Sequence, residues 1–96
     1  LITPAIIGDV RIGYSMEFNA GNNNKAVEVR FYCVSDAIEY GNNYQQTNNN
    51  LNWFTFSGFH YETLTGSSKT FSLQFRDTGG TICRVRNAEI EIWRVA

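Results

Sequence analysis

A two-residue period runs through most of this chain and constrains its fold more than any other feature. Between Val10 and Phe18, the apolar residues Val10, Ile12, Tyr14, Met16 and Phe18 alternate with Arg11, Gly13, Ser15 and Glu17. Successive side chains of a strand point to opposite faces, so the pattern reads as a half-buried β-strand. "AVEVRFYC" repeats it with Val27, Val29, Phe31 and Cys33, and Thr70 to Arg76 repeats it with Phe71, Leu73 and Phe75. No ten-residue stretch carries a 3.6-residue period, so essentially no helix is expected. About six to eight short strands with Gly- and Asn-rich turns imply an all-β fold, an antiparallel β-sandwich occupying residues 1–96 as one domain.

Two segments break the alternation. In "CRVRNAEIEIWRVA" the apolar side changes parity at Asn87: Cys83 and Val85 share one face, Ile90 and Ile92 the other. A bulge or bend there turns Ala88, Ile90 and Ile92 towards the core and leaves Glu89, Glu91 and Trp93 outside. In "LNWFTFSGFHYET", Phe54 and Phe56 share one parity and Phe59 and Tyr61 the other, with Gly58 at the apparent slip, the residue type expected at a bulge or sharp bend. "NAGNNNK" reads as the turn of a hairpin or meander pair formed by the first two strands. A three-residue Thr78-Gly79-Gly80 loop predicts a second hairpin with Phe75 opposite Cys83, Leu73 opposite Val85 and Phe71 opposite Asn87. "DAIEYGNNYQQTNNN", poor in aliphatics, reads as a long surface loop with at most a short edge strand near Ile38 and Tyr40.

Charge excludes some partners. Eight Lys and Arg against nine Asp and Glu give a formal charge of −1, so no basic field attracts nucleic acid or anionic lipid. No apolar run approaches the ~20 residues of a membrane span, so no membrane insertion is expected. The chain starts "LITPA" without an initiator Met, which suggests a trimmed chain or the ordered end of a longer one. Cys33 and Cys83 stand far apart in sequence with His60 the only histidine, so no metal or other cofactor is expected, and the cysteines read as free thiols packed as small hydrophobes, with a Cys33–Cys83 disulfide as the alternative.

No catalytic constellation is expected either. His60 lies between Phe59 and Tyr61 and reads as a solvent-facing or network histidine, while Glu89 and Glu91, two apart on one strand face, read as a solvated stripe or as partners for Arg84 and Arg86. Candidate binding residues come from "YGNNYQQTNNNLNW". Tyr40, Tyr44 and Trp53 are planar apolar faces, and Asn42, Asn43, Gln45, Gln46 and Asn48 to Asn50 are amide hydrogen bonders, the combination that holds a neutral glycan. Seven Phe, five Tyr and two Trp make 15% of the chain, more than a thin core readily uses, so the surplus is expected to face water, a ligand or another chain.

"FSGF", "KTFSLQF" and "RNAEIEIWRV", in this order and spacing, resemble the C-terminal half of small jelly-roll heads of the TNF-like and complement-globular-head type, especially those at the ends of phage and viral fibre or capsid-decoration proteins. The resemblance covers about the last forty residues. It implies a small jelly roll that assembles as a homotrimer, with one sheet's aromatic and aliphatic side chains packed around a threefold axis. Tyr14, Tyr32, Phe54, Phe56 and Trp93 are the aromatics expected to supply that interface. The function expected is a non-enzymatic structural or attachment protein, the trimeric head of a virion fibre, spike or capsid decoration, binding a glycan or protein receptor on a host surface. Two other readings stand beside it: a carbohydrate-binding, lectin-like sandwich appended to an enzyme, and a secreted signalling ligand of the same fold.

Overall fold

The computed structural model describes residues 1–20, 25–47, 52–77 and 83–95. Six strands and no helix are present among them: β1 (Gly8–Ala20), β2 (Lys25–Cys33), β3 (Ile38–Thr47), β4 (Phe54–Leu64), β5 (Phe71–Asp77) and β6 (Cys83–Arg94). They form two three-stranded antiparallel sheets, β4-β1-β6 and β3-β2-β5, stacked as a sandwich.

The winding is simpler than the strand list suggests. β1 and β2 form one long segment that passes from the first sheet to the second. β3 and β4 run antiparallel along one side of it, and β5 and β6 along the other. The first segment is thus central, in the order β3–β4, β1–β2, β5–β6, and the fold is not a meander. Both chain ends are tied beside the start of β1 and the start of β5: Ile2 exchanges two 2.8 Å backbone bonds with Phe71, and Val95 N–H reaches Asp9 O at 3.1 Å.

The core follows from the two central strands. Val10, Ile12, Tyr14, Met16 and Phe18 of β1 face Val27, Val29, Phe31 and Cys33 of β2, and all are buried. Phe56, Leu64 and Phe71 complete it, with Ile90 and Ile92 packed at its margin. Much of the aromatic surplus goes here. Phe31 stacks on Tyr14 at 4.4 Å and on Phe71 at 5.9 Å, and Tyr14 leans on Phe56 at 5.3 Å, offset geometries that add to simple burial.

Several expectations from the sequence are corrected. β1 and β2 are not neighbours in a sheet, and neither are β5 and β6. Phe75, Leu73 and Phe71 lie opposite Val29, Phe31 and Cys33, whereas Cys83 and Val85 lie opposite Ala20 and Phe18. Alternation fixes which face a side chain takes but not which strand lies beside it. The Thr78-Gly79-Gly80 connection itself falls outside the described residues. The expected surface loop is β3, an edge strand of ten residues paired along β2.

The bulge at Asn87 is present. Ser15 pairs with Glu89 and Glu17 with Arg86, leaving Asn87 and Ala88 opposite one residue, and Asn87 takes φ 53°. Ile90 and Ile92 then turn inward, while Ala88 stays exposed. No slip occurs at Gly58. β4 pairs with β1 in unbroken register from Leu64 to Phe54, so Gly58, His60 and Glu62 face inward and Phe59 and Tyr61 outward. A Cβ at Gly58 would meet Tyr14 Oη at 2.6 Å, and one at Gly41 would meet it at 2.5 Å. These two glycines leave the slot through which the Tyr14 hydroxyl passes between the sheet edges.

Candidate functional site

Three groups of polar or aromatic side chains stand out from the core. The first closes the edge of the sandwich between β3 and β4. His60 Nε2 hydrogen-bonds Glu62 Oε2 at 2.7 Å, Lys69 Nζ lies 3.0 Å from Glu62 Oε1 and 3.0 Å from Asp36 Oδ2, and the Tyr40 hydroxyl donates to Glu62 Oε2 at 3.3 Å. The Tyr40 ring stacks on His60 at 3.7 Å. Burial opposes ionisation of Glu62, but hydrogen bonds from His60 and Lys69 and the Lys69 charge outweigh it and hold the carboxyl below its ordinary pKa. Burial, reinforced by the Glu62 charge, pushes Tyr40 up to about 12. His60 is therefore a network histidine. Its hydrogen bonds and ion pairs run among its own members, and it serves as a polar seam between the sheets.

The second group covers the outer face of β3-β2-β5. Arg30 Nε donates to Gln74 Oε1 at 2.7 Å and Arg76 Nε to Glu28 Oε1 at 2.7 Å, while Asn42 Nδ2 donates to Glu28 Oε2 at 3.1 Å. The Arg30 guanidinium lies 3.8 Å over the Tyr32 ring and 3.7 Å from Glu39. Hydrogen bonds from Asn42 and Arg76 hold Glu28 below the ordinary carboxylate range. Every charged group here already has a partner.

The third group covers half of the outer face of β4-β1-β6 and differs from the other two. Arg11 is flanked across the ladder by Tyr61 on β4 and Trp93 on β6, and Gly13 by Phe59 and Glu91. Phe59, Tyr61 and Trp93 are 55%, 60% and 56% exposed. They are three of the five exposed aromatics, the others being Tyr44 and Phe75. Phe59 meets Tyr61 edge-on at 5.6 Å, and the Arg11 guanidinium lies 4.5 Å from the Phe59 ring centroid, over the space left by the missing side chain of Gly13. Among the described residues, the Arg11 N–H groups, the Glu91 carboxylate, the Tyr61 hydroxyl and the Trp93 indole N–H make no side-chain hydrogen bond or ion pair. Further along the same face the groups are engaged again. Glu17 accepts from Arg86 at 3.1 Å and Asn87 at 2.7 Å, bonds that lower its pKa, and Arg86 lies 3.9 Å over Trp53.

The residues expected to bind a ligand do not converge. Tyr40 points into the sandwich edge, Asn43 is half-buried and accepts from Gln45, and Trp53 is capped by Arg86 on the other sheet. Of those described, only Asn42 and Tyr44 share an outer face, and Asn42 is bound to Glu28, while the Gln46 side chain and Asn48 to Asn50 lie outside the described residues. The expected interface set divides as well. Tyr14 and Phe56 are core residues, Phe54 packs against the core, Tyr32 lies under Arg30, and Trp93 alone of the five is exposed. Arg86 pairs with Glu17 rather than with Glu89 or Glu91, and both cysteines are free thiols. Sequence reasoning passed over Arg11, Gly13, Phe59 and Tyr61. The available signal was that a β4 without a slip puts Phe59 and Tyr61 outside, on the parity opposite Phe54 and Phe56. No family model, curated protein or solved structure matches the chain.

Proposed function

We propose that this domain is a non-catalytic attachment head, a homotrimer of the kind that ends a virion fibre, spike or capsid decoration and binds a host surface. The observation that carries the reading is the outer face of β4-β1-β6, where exposed aromatics surround Arg11 and Glu91, which make no side-chain hydrogen bond or ion pair among the described residues. Such a face gains by being covered. Support also comes from the winding, in which every connection between successive strands except β2–β3 crosses between sheets. The polar seam and the outer network are internally satisfied, which agrees with a binding role rather than a catalytic one.

Light scattering of the full chain at micromolar concentration tests the assembly. Three times the mass of one chain is expected, and a purely monomeric protein would remove the trimer.

A further inference from the structure

We infer that the Tyr61–Arg11–Trp93 and Phe59–Gly13–Glu91 rows on the outer face of β4-β1-β6 form a binding platform for a neutral saccharide. The inference deepens the attachment reading above and rests on it.

Geometry sets the size of the occupant. Tyr61 and Trp93 flank the same residue of the central strand, so their backbones stand about 10 Å apart, and the two rows lie about 7 Å apart along the strands. The platform is thus roughly 14 Å on a side, about 200 Å² in projection. A stable protein partner needs ~800 Å² per side. The patch is too small to hold a second copy by itself, and it suits one or two pyranose rings.

Chemistry sets the class. A pyranose ring has an apolar face of C–H groups and a rim of hydroxyls that both donate and accept. The platform matches both parts: exposed rings of Tyr61 and Trp93 for the C–H face, and between them Arg11 offering donors only, Glu91 acceptors only, Tyr61 a hydroxyl and Trp93 an indole N–H. None of these groups must break an existing bond to engage, unlike those of the opposite sheet. Within the two rows the Arg11 and Glu91 charges offset each other, and Glu89 in the next row of β6 adds a negative charge beside them, so the platform does not select an anionic sugar. A lipid surface would bury both charges unpaired, and a phosphate backbone would meet a single guanidinium beside a carboxylate.

Calorimetric titration of the full chain with cello-, malto-, manno- and chito-hexaose tests the inference, alongside Trp93→Ala, Tyr61→Ala and Tyr44→Ala. All three side chains are exposed, so the variants should keep the wild-type far-UV spectrum. At least one oligomer should bind weakly and with little dependence on salt. Trp93→Ala and Tyr61→Ala should each weaken it at least tenfold, and Tyr44→Ala on the other sheet should leave it unchanged. Binding of none of the four oligomers, retention of binding in both platform variants, or collapse of binding on adding salt would each overturn the inference. The two readings separate in the same preparations. A monomer whose saccharide binding depends on Trp93 removes the trimeric head and keeps the platform. A trimer that attaches to cells but ignores Trp93→Ala and Tyr61→Ala does the reverse.

Discussion

β4 and β6 flank the same central strand and show the same irregularity, an apolar pattern that changes parity midway, yet the backbone changes only in β6. In β6 an extra residue enters at Asn87, and the aliphatic Ile90 and Ile92 take over the inner face. In β4 the register never shifts. The inner face becomes Gly58, His60 and Glu62, and the aromatics Phe59 and Tyr61 are left in water. The reason lies in what each strand faces. Inside Gly58 the space belongs to Tyr14, and inside His60 and Glu62 stand Tyr40 and Lys69. Alternation reports the fold reliably only where the inner face is apolar and the outer face is solvated. A polar seam inside and a binding face outside invert it, and β4 has both.

The contrast breaks most sharply at Gly58. If β4 truly keeps its register, a Cβ there sits 2.6 Å from Tyr14 Oη and 2.9 Å from Cζ, and a packed ring must move. Gly58→Ala should destabilise the protein by about 1–3 kcal/mol, as overpacking does. Gly13→Ala on β1, whose Cβ would meet nothing nearer than 3.9 Å, should stay within about 0.5 kcal/mol. Urea denaturation of both variants reads the difference. Equal tolerance of the two alanines would mean that β4 does slip at Gly58.

How much of this was legible follows from the same physics. The inner rows of β1 and β2 are legible because an apolar or aromatic side chain occupies every inward position from Val10 to Phe18 and from Val27 to Cys33. The bulge was read because aliphatics lie on both sides of it. Strand partners were not, since Phe75 faces an apolar residue equally well in a hairpin with Cys83 or in the ladder with Val29. β3 was missed because its alternating residues, Gly41, Asn43 and Gln45 against Asn42 and Tyr44, are all small or polar, as an edge strand allows. The platform was half legible. The bulge places Trp93 outside, but the change of parity between Phe56 and Phe59 reads as a bulge or bend at Gly58, which hides that Phe59 and Tyr61 stay on the outer face of an unbroken strand.

A second prediction sharpens the comparison through charge. Glu62 of β4 holds His60, Lys69 and Tyr40 together with its side chain only 14% exposed, whereas Glu91 of β6 is exposed and unpaired. Glu62→Gln should cost about 1–3 kcal/mol by leaving buried partners unsatisfied, and Glu91→Gln less than about 0.5 kcal/mol. The pH dependence has a definite sign. The Glu62 pKa is depressed in the folded state, so its contribution is fully present above the ordinary carboxylate value of ~4.3 and is lost as pH falls through the lower folded value. Thermal denaturation across the acid range should show a shallower loss of stability in Glu62→Gln than in the wild type. Parallel profiles would mean that Glu62 is not the group that links these side chains.

The smallest effect is expected at the bulge itself, and it distinguishes what Asn87 does for the backbone from what its side chain does. At φ 53° the residue occupies the left-handed region, which Asn tolerates and Gly prefers, and which costs an ordinary L-residue about 1–2 kcal/mol. Its amide also donates to Glu17 Oε1 at 2.7 Å. Asn87→Gly trades that exposed hydrogen bond for an easier backbone, and the two should nearly cancel, within about 0.5 kcal/mol. Asn87→Ala loses the same bond and keeps the strain, so it should be the less stable of the two by about 1 kcal/mol. Both should leave Trp93 on the outer face, since the extra residue, not its side chain, sets the parity of β6 beyond it. Tryptophan fluorescence in a Trp53→Phe background, where Trp93 is the one remaining indole, checks this directly. An emission maximum shifted to the blue in either variant would show that Trp93 had turned inward, and that the Asn87 side chain, rather than the residue count, holds the bulge in place.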